Sequence, residues 1–125
     1  MRTHVVGAAI VRDGRVLAAR RAGPADLAGR WEFPGGKVEP DESEAAALMR
    51  ECREELGVAV QVGERLGEAA DPRIRLVLYV AYLETDEPRP HDDHDAIRWL
   101  PKSELEDVDW LPIDRVLLPV VAALL

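Results

Sequence analysis

The sequence predicts an α/β fold in which helices cover both faces of a mixed β-sheet, an α/β/α sandwich. Three features lead there. Residues 4–11 and 73–84 are strand-like, the first nearly continuously apolar and the second rich in β-branched and aromatic side chains. Between them, residues 42–56 carry helical periodicity, and residues 112–125 close the chain as a second helical segment. Strands with helices between them fold as a sheet with helix layers on its faces. A length of 125 residues with 47% hydrophobic content suits one domain, residues 1–125, around one core.

In chain order, residues 4–11 read as a buried strand. Asp13-Gly14 is a hairpin turn signal, and residues 15–20 return as the partner strand. Residues 22–30, rich in Gly, Ala and Pro, read as a loop. Trp31, Glu32 and Phe33 form a short strand, and Pro34-Gly35-Gly36 a tight turn. Asp41 followed by Glu44 fits a capping box, which starts a helix near Glu42, and Gly57 suits the left-handed position that ends it. At ~100° per residue, Ala45, Leu48, Met49, Cys52 and Leu56 share one helix face. Residues 58–66 form a strand with a bulge expected at Gly63, and residues 73–84 are the clearest strand. Residues 85–95 are a charged loop, residues 96–100 a last strand and residues 102–106 a short helix. Pro112 suits the first turn of the closing helix, and Pro119 inside it is expected to kink it or delay its regular part.

No apolar run approaches the ~20 residues of a membrane span, and the N-terminal residues lack a signal-peptide layout. A single cysteine excludes an intrachain disulfide and fits a reducing cytoplasm. The formal net charge of −8 disfavours nucleic acid and anionic membranes as partners. The same charge repels nucleotides, unless bound cations invert the local field.

Residues 36–58 read GKVEPDESEAAALMRECREELGV, which is G-x5-E-x7-R-E-U-x-E-E-x-G-U with U a bulky apolar residue. Glu51, Glu54 and Glu55 stand three and four positions apart and crowd one side of the helix. A solvated charged face is the bland reading. It leaves the mutual repulsion uncompensated, apart from Arg50, which can pair with Glu54. A hard divalent cation would compensate it through oxygen ligands. With nine positions at fixed spacing, the stretch resembles the signature box of the Nudix hydrolases, which cleave nucleoside diphosphates linked to another moiety. One position departs from the pattern, because Cys52 stands where Leu, Ile or Val is usual. The helix period puts it in the apolar face, as a core residue and not a nucleophile.

The resemblance implies a Nudix-type α/β/α sandwich over nearly the whole chain, a single Nudix hydrolase domain. It assigns Glu51, Glu54 and Glu55 to binding Mg2+, with Mn2+ as a substitute, and adds the carbonyl of Gly35 as a ligand. Glu51 can also take the proton of the attacking water. Arg50 is expected to orient the carboxylates, and Glu42 to support them or the helix start. Residues 90–95 (PHDDHD) look metal-like in composition; His91 and His94 read as solvated loop residues, because Mg2+ wants oxygens. Related enzymes carry an acidic ligand or base six positions before the tryptophan matching Trp99, which is Asp93 here. Only one of Arg20 and Arg21 can point into a cleft, and the spacing to Phe33 matches Arg21 to a phosphate-contacting arginine. Phe33, beside the glycine turn, is a candidate for the base pocket, and Trp110 a weaker one.

Among Nudix enzymes the chain resembles the bacterial CTP pyrophosphohydrolases. They share a WEF-x-GGKVEPDES-like run with residues 31–43 and a Pro-x-Asp at Pro112-Ile113-Asp114. MutT carries an asparagine at the place of Asp114, where it reads an oxidised guanine. A carboxylate only accepts, so it favours a base edge presenting a donor, such as the cytosine N4 amino group. The expected function is a metal-dependent nucleoside triphosphate pyrophosphohydrolase, acting as a monomer or small homo-oligomer and releasing monophosphate and pyrophosphate. CTP, dCTP or a modified dCTP is the expected substrate, in nucleotide-pool sanitation or control. An oxidised purine triphosphate, an ADP-sugar, a dinucleoside polyphosphate and a non-catalytic binding module are the alternatives.

Overall fold

The computed structural model describes residues 1–125. β1 (Thr3–Arg12) and β2 (Arg15–Arg21) flank the Asp13-Gly14 turn, where both residues take positive φ. β3 (Trp31–Glu32) and β4 (Gly35–Lys37) precede α1 (Glu44–Leu56). β5 (Val60–Ala70), β6 (Ile74–Leu83) and β7 (His94–Pro101) follow, then a 3-10 helix (Lys102–Asp107), α2 (Pro112–Arg115) and α3 (Leu118–Ala122). No helix is long and apolar enough to cross a membrane.

The seven strands form one mixed sheet. β1 runs parallel to β6, which pairs antiparallel with β5. β2 pairs antiparallel with β3 and β7. β1 meets β2 only near the hairpin, at Val11 and Arg12; nearer its start β4 takes that edge instead. Side chains alternate across β1. Val6, Ala8 and Ile10 pack under α1 with Ala47, Leu48, Cys52 and Leu56. Ala9 faces the other way, into a core of Trp31, Phe33, Leu78, Leu100, Trp110 and Val121 beneath the C-terminal helices. Helices therefore cover both sheet faces, as the alternation of elements predicts.

Several local expectations are corrected. Residues 34–36 are more than a turn, since Gly35 and Gly36 belong to β4. The helix is capped by Ser43, whose hydroxyl accepts from the Ala46 N–H at 3.0 Å, while Asp41 sits at φ 68° in the preceding turn. Met49 is exposed, and Ala47 takes its place in the buried face. β5 runs four residues further than expected, to Ala70, with its irregularity between Val62 and Arg65 as expected at Gly63. Residues 112–125 are two short helices with a break at Val116–Leu117, and Pro119 falls in the first turn of the second. A proline lacks the N–H for an interior helical bond, so the chain restarts the helix around it.

Candidate active site

Two glycines let the helix carboxylates reach the sheet. β4 lies along β1 with Gly35 opposite Gly7 and Gly36 opposite Val6. Gly35 has φ 154°, and a Cβ there would stand 2.0 Å from the Val6 carbonyl oxygen, so only glycine fits. A Cβ on Gly36 would stand 2.5 Å from Cδ of Glu51. Glu51 thus lies directly on the Gly36 backbone. Glu55, one turn further along α1, accepts the Gly35 N–H at 2.9 Å.

The carboxylates of this region sit in different surroundings. Arg50 grips Glu42 with a fork, Nε at 2.8 Å and Nη2 at 2.9 Å, and donates to Glu51 at 2.9 Å and to the Lys37 carbonyl at 3.0 Å. Its approach to Glu54 is looser, 3.5 Å. The Arg50 fork, with the Glu39 N–H, holds Glu42 down to about 2. Burial raises Glu51 in spite of Arg50. Burial pushes Glu55 up to about 9, in spite of the Gly35 N–H. Glu54 keeps half of its side chain in solvent.

The donor set here is all hard oxygen: three carboxylates and the Gly35 carbonyl. That chemistry fits Mg2+ or Mn2+. The side chains do not form a ready cage, since no three acidic, histidine or cysteine groups converge. Glu51 accepts from Arg50 and Glu55 from Gly35, each through Oε1, which leaves the second oxygen of both for another partner. Glu55 has no Arg or Lys in ion-pair range, and a cation would supply the missing charge.

Beside the glycines opens a cleft of about 200 Å3. Val5, Ile74, Leu76, Leu111, Ile113 and Phe33 give it apolar walls, and Arg21, Glu32, Lys37 and Asp114 its polar groups. Asp114 reaches it because residues 109–111 pair with β3: the Trp31 N–H donates to the Asp109 carbonyl, and the Leu111 N–H to the Trp31 carbonyl. The turn of α2 then sets Asp114 Oδ2 2.9 Å from the Phe33 N–H. Burial pushes the Asp114 carboxyl up to about 8. Trp110 is wholly buried, donates to the Leu105 carbonyl and packs at 4.8 Å against Phe33. It backs the cleft wall without lining it.

Of the arginine pair, Arg21 lines the cleft, donating to the Gly23 carbonyl and to Glu32. Arg20 turns out to Asp95, across an irregularity in the β2–β7 register. Asp93 stays exposed; its carbonyl accepts from the Ala22 N–H, and its side chain bonds to none of the α1 carboxylates. Cys52 is buried in the α1 core with its thiol pushed up to about 12 by burial, which suits a packing residue.

His94 reverses an expectation. Read as a solvated loop residue, it is buried, with Nε2 2.7 Å from Glu32 Oε2. β7 starts two residues earlier than the sequence suggests, at His94. Alternation counted back from the buried Leu100 would put His94 with Ala96 under the C-terminal helices. The irregularity between the Arg20–Ala96 and Arg21–His94 pairs turns it to the α1 face instead, beside Glu55, a feature that the sequence does not signal. Glu32, which ties Arg21 and His94 together, was likewise not singled out by the motif.

The chain is thus an α/β/α sandwich that sets helix-borne carboxylates over a glycine pair beside a cleft. The NUDIX domain model matches residues 1–121, and the chain belongs to that family of hydrolases. The family generally uses divalent cations such as Mg2+. A Mycobacterium tuberculosis protein assigned provisionally as 8-oxo-dGTP diphosphatase 2 is 50% identical over 116 residues, covering 89% of this chain and 82% of that protein. The CTP pyrophosphohydrolase of Escherichia coli is 61% identical over 61 residues, covering 49% of this chain and 45% of that protein. The solution structure of the E. coli ORF135 protein superposes with a TM-score of 0.81 at 39% identity, covering 99% of this chain and 91% of that one.

Proposed function

We propose that this Nudix hydrolase is a cytoplasmic, divalent-metal-dependent nucleoside triphosphate pyrophosphohydrolase that prefers CTP or dCTP. The observation that carries the reading is Asp114, anchored through Oδ2 to the Phe33 N–H at the wall of a cleft that adjoins the α1 carboxylates. The anchor leaves Oδ1 to meet a base, with Phe33 beside it. Arg21 and Lys37 stand at the same cleft and suit the phosphates. Glu51, Glu54, Glu55 and the Gly35 carbonyl are the oxygens that would hold the cation, and Arg50 keeps Glu51 in place between Glu42 and Gly36. When bound, the cation would neutralise phosphate charge and stabilise the transition state. A water oxygen bonds to the β-phosphorus, and its bond to the α-phosphate oxygen breaks. The monophosphate leaves with that oxygen, and the water proton goes to Glu51 or Asp93.

One observation favours a second reading. A carboxyl raised to about 8 is largely protonated at neutral pH, and a carboxylic acid donates as well as accepts. A donor suits an acceptor on the base, such as the O6 of an oxidised guanine, which agrees with the name of the mycobacterial relative. Pyrophosphate release from CTP, dCTP, UTP, dTTP and 8-oxo-dGTP, with and without Mg2+, at about pH 6.5 and 9, separates the readings. CTP is expected to exceed UTP, and more so at the higher pH, where Asp114 is an acceptor only. Equal rates on UTP and CTP at both pH values overturn the cytosine reading, and 8-oxo-dGTP as the fastest substrate establishes the second.

A further inference from the structure

His94 holds a place in this site that no part of the signature box explains. Its side chain is 0% exposed. Nε2 meets Glu32 Oε2 at 2.7 Å, the same oxygen that accepts from Arg21 at 3.2 Å. Nδ1 is buried without a hydrogen-bond partner, an uncommon state for a ring nitrogen in a protein interior. The carboxylate atom facing it is Glu55 Oε2, 4.0 Å away. Glu55 already has its other oxygen fixed by the Gly35 N–H at 2.9 Å. A distance of 4.0 Å is too long for a hydrogen bond, and a shift of about 1 Å closes it.

We propose that His94 is a positioning residue for the divalent-cation site: its Nδ1–H donates to Oε2 of Glu55 when that side chain turns to the cation, and its Nε2–H donates to Glu32, which ties Glu55 to Arg21. This role requires Glu55 to be a cation ligand, as proposed above. Imidazole suits the task because the ring is rigid and, carrying a proton on each nitrogen, donates to two carboxylates in one plane. A carboxylate held at its second oxygen keeps one orientation, and partners of this kind fix ligands at metal sites. Arg21, on the far side of Glu32, is the cleft arginine nearest this chain of contacts. Its departure to a phosphate leaves Glu32 Oε2 wholly to His94. The cation end and the phosphate end of the site are thereby joined through three side chains.

Two isosteres separate the arms of the ring. Asparagine places an amide near Nδ1 and serves Glu55 alone; glutamine places one near Nε2 and serves Glu32 alone. Mn2+ binding to the nucleotide-free protein is read by electron paramagnetic resonance. His94→Gln is expected to weaken it ~10–100-fold, and His94→Asn to stay within about threefold of the unaltered protein. Thermal melting of both variants is read alongside, since a mere packing loss weakens both alike. In the unaltered chain the Nδ1 nitrogen resonance should move on Mg2+ saturation. Full Mn2+ affinity in His94→Gln, equal losses in the two variants, or an unmoved resonance overturns the role. Glu55→Gln serves as the control. Unchanged Mn2+ affinity there removes Glu55 from the cation site, and the role of His94 with it. A loss in Glu55→Gln with none in His94→Gln overturns the His94 role alone.

Discussion

Asp114→Asn should stabilise this protein, and by more as the pH rises. Asp114 is 4% exposed, and its one hydrogen-bond donor from another residue is the Phe33 N–H at 2.9 Å. Burial lifts its pKa from 3.8 to about 8. In the unfolded chain the carboxyl ionises near the lower value. Between the two values folding must take up a proton, so this group's contribution to stability is fully present below pH 3.8 and is lost as pH rises to about 8. At pH 7 the loss spans about 3 pH units, or ~4 kcal/mol at most. Asparagine keeps the oxygen that accepts from Phe33 and has no charge to bury. Its gain should be near zero at about pH 4, on the order of 1–4 kcal/mol at pH 7, and level above about pH 8. Urea unfolding of both proteins at four pH values across that range measures the difference directly. A difference that does not vary with pH, or an asparagine variant less stable at pH 8, refutes the assignment of a buried, neutral Asp114.

The other predictions concern the chemistry. Glu54→Gln should lower turnover by orders of magnitude while the protein stays folded, because removing a cation-bound charge costs several kcal/mol of transition-state stabilisation; near-normal rates at saturating Mg2+ would remove Glu54 from the site. Gly36→Ala drives a methyl into the Glu51 carboxylate, 2.5 Å away, and should cut kcat ~100-fold with little change in melting temperature. A Gly36→Ala enzyme of full activity would show that Glu51 does not need its place against β4. Hydrolysis in 18O-labelled water should put the label in pyrophosphate, and label in the monophosphate would mean attack at the α-phosphorus.

The order of elements was legible because long apolar runs, turn pairs and one amphipathic helix each have a strong local cause. The box placed Arg50, Glu51, Glu54 and Glu55 on α1, where Arg50 reaches Glu51 and Glu54 while the three carboxylates do not converge. Features set by tertiary pairing were not legible. β4 is too short to show a period, and it exists because Gly35 and Gly36 can lie against β1. Asp41 fits the capping box through Glu44, but the turn at Glu39–Glu42 took it into left-handed backbone and left Ser43 to cap α1. Met49 sits at the rim of the apolar stripe, where helix rotation against the sheet decides exposure. His94 was hidden by composition, because neighbouring charges made its strand read as loop. Asp114 was legible as a residue and not as an environment: the sequence treats it as a carboxylate, while the buried cleft makes it an acid of pKa about 8.

Two buried acids therefore stand on either part of the candidate site, one beside the glycine pair and one at the cleft wall. Glu55 is raised to about 9 beside the glycines, and Asp114 to about 8 at the cleft wall. In each the largest cause is burial, and in each the negative charge of Glu32 adds to it. Glu32 sits between them and is held by Arg21 at 3.2 Å and His94 at 2.7 Å. Neither acid has a cation of its own, so each costs stability at neutral pH that simple structural packing would not require. A cation at Glu55 offsets the first cost, and a base that pairs with Asp114 offsets the second. Arg21 is the cleft cation in contact with Glu32, whose negative charge both acids feel. Transfer of Arg21 to a phosphate removes that contact, and the acids then depend on the cation and the base arriving with the phosphate. The proposed function therefore expects a metal-nucleoside triphosphate, which brings all three parts at once, to bind better than free pyrophosphate.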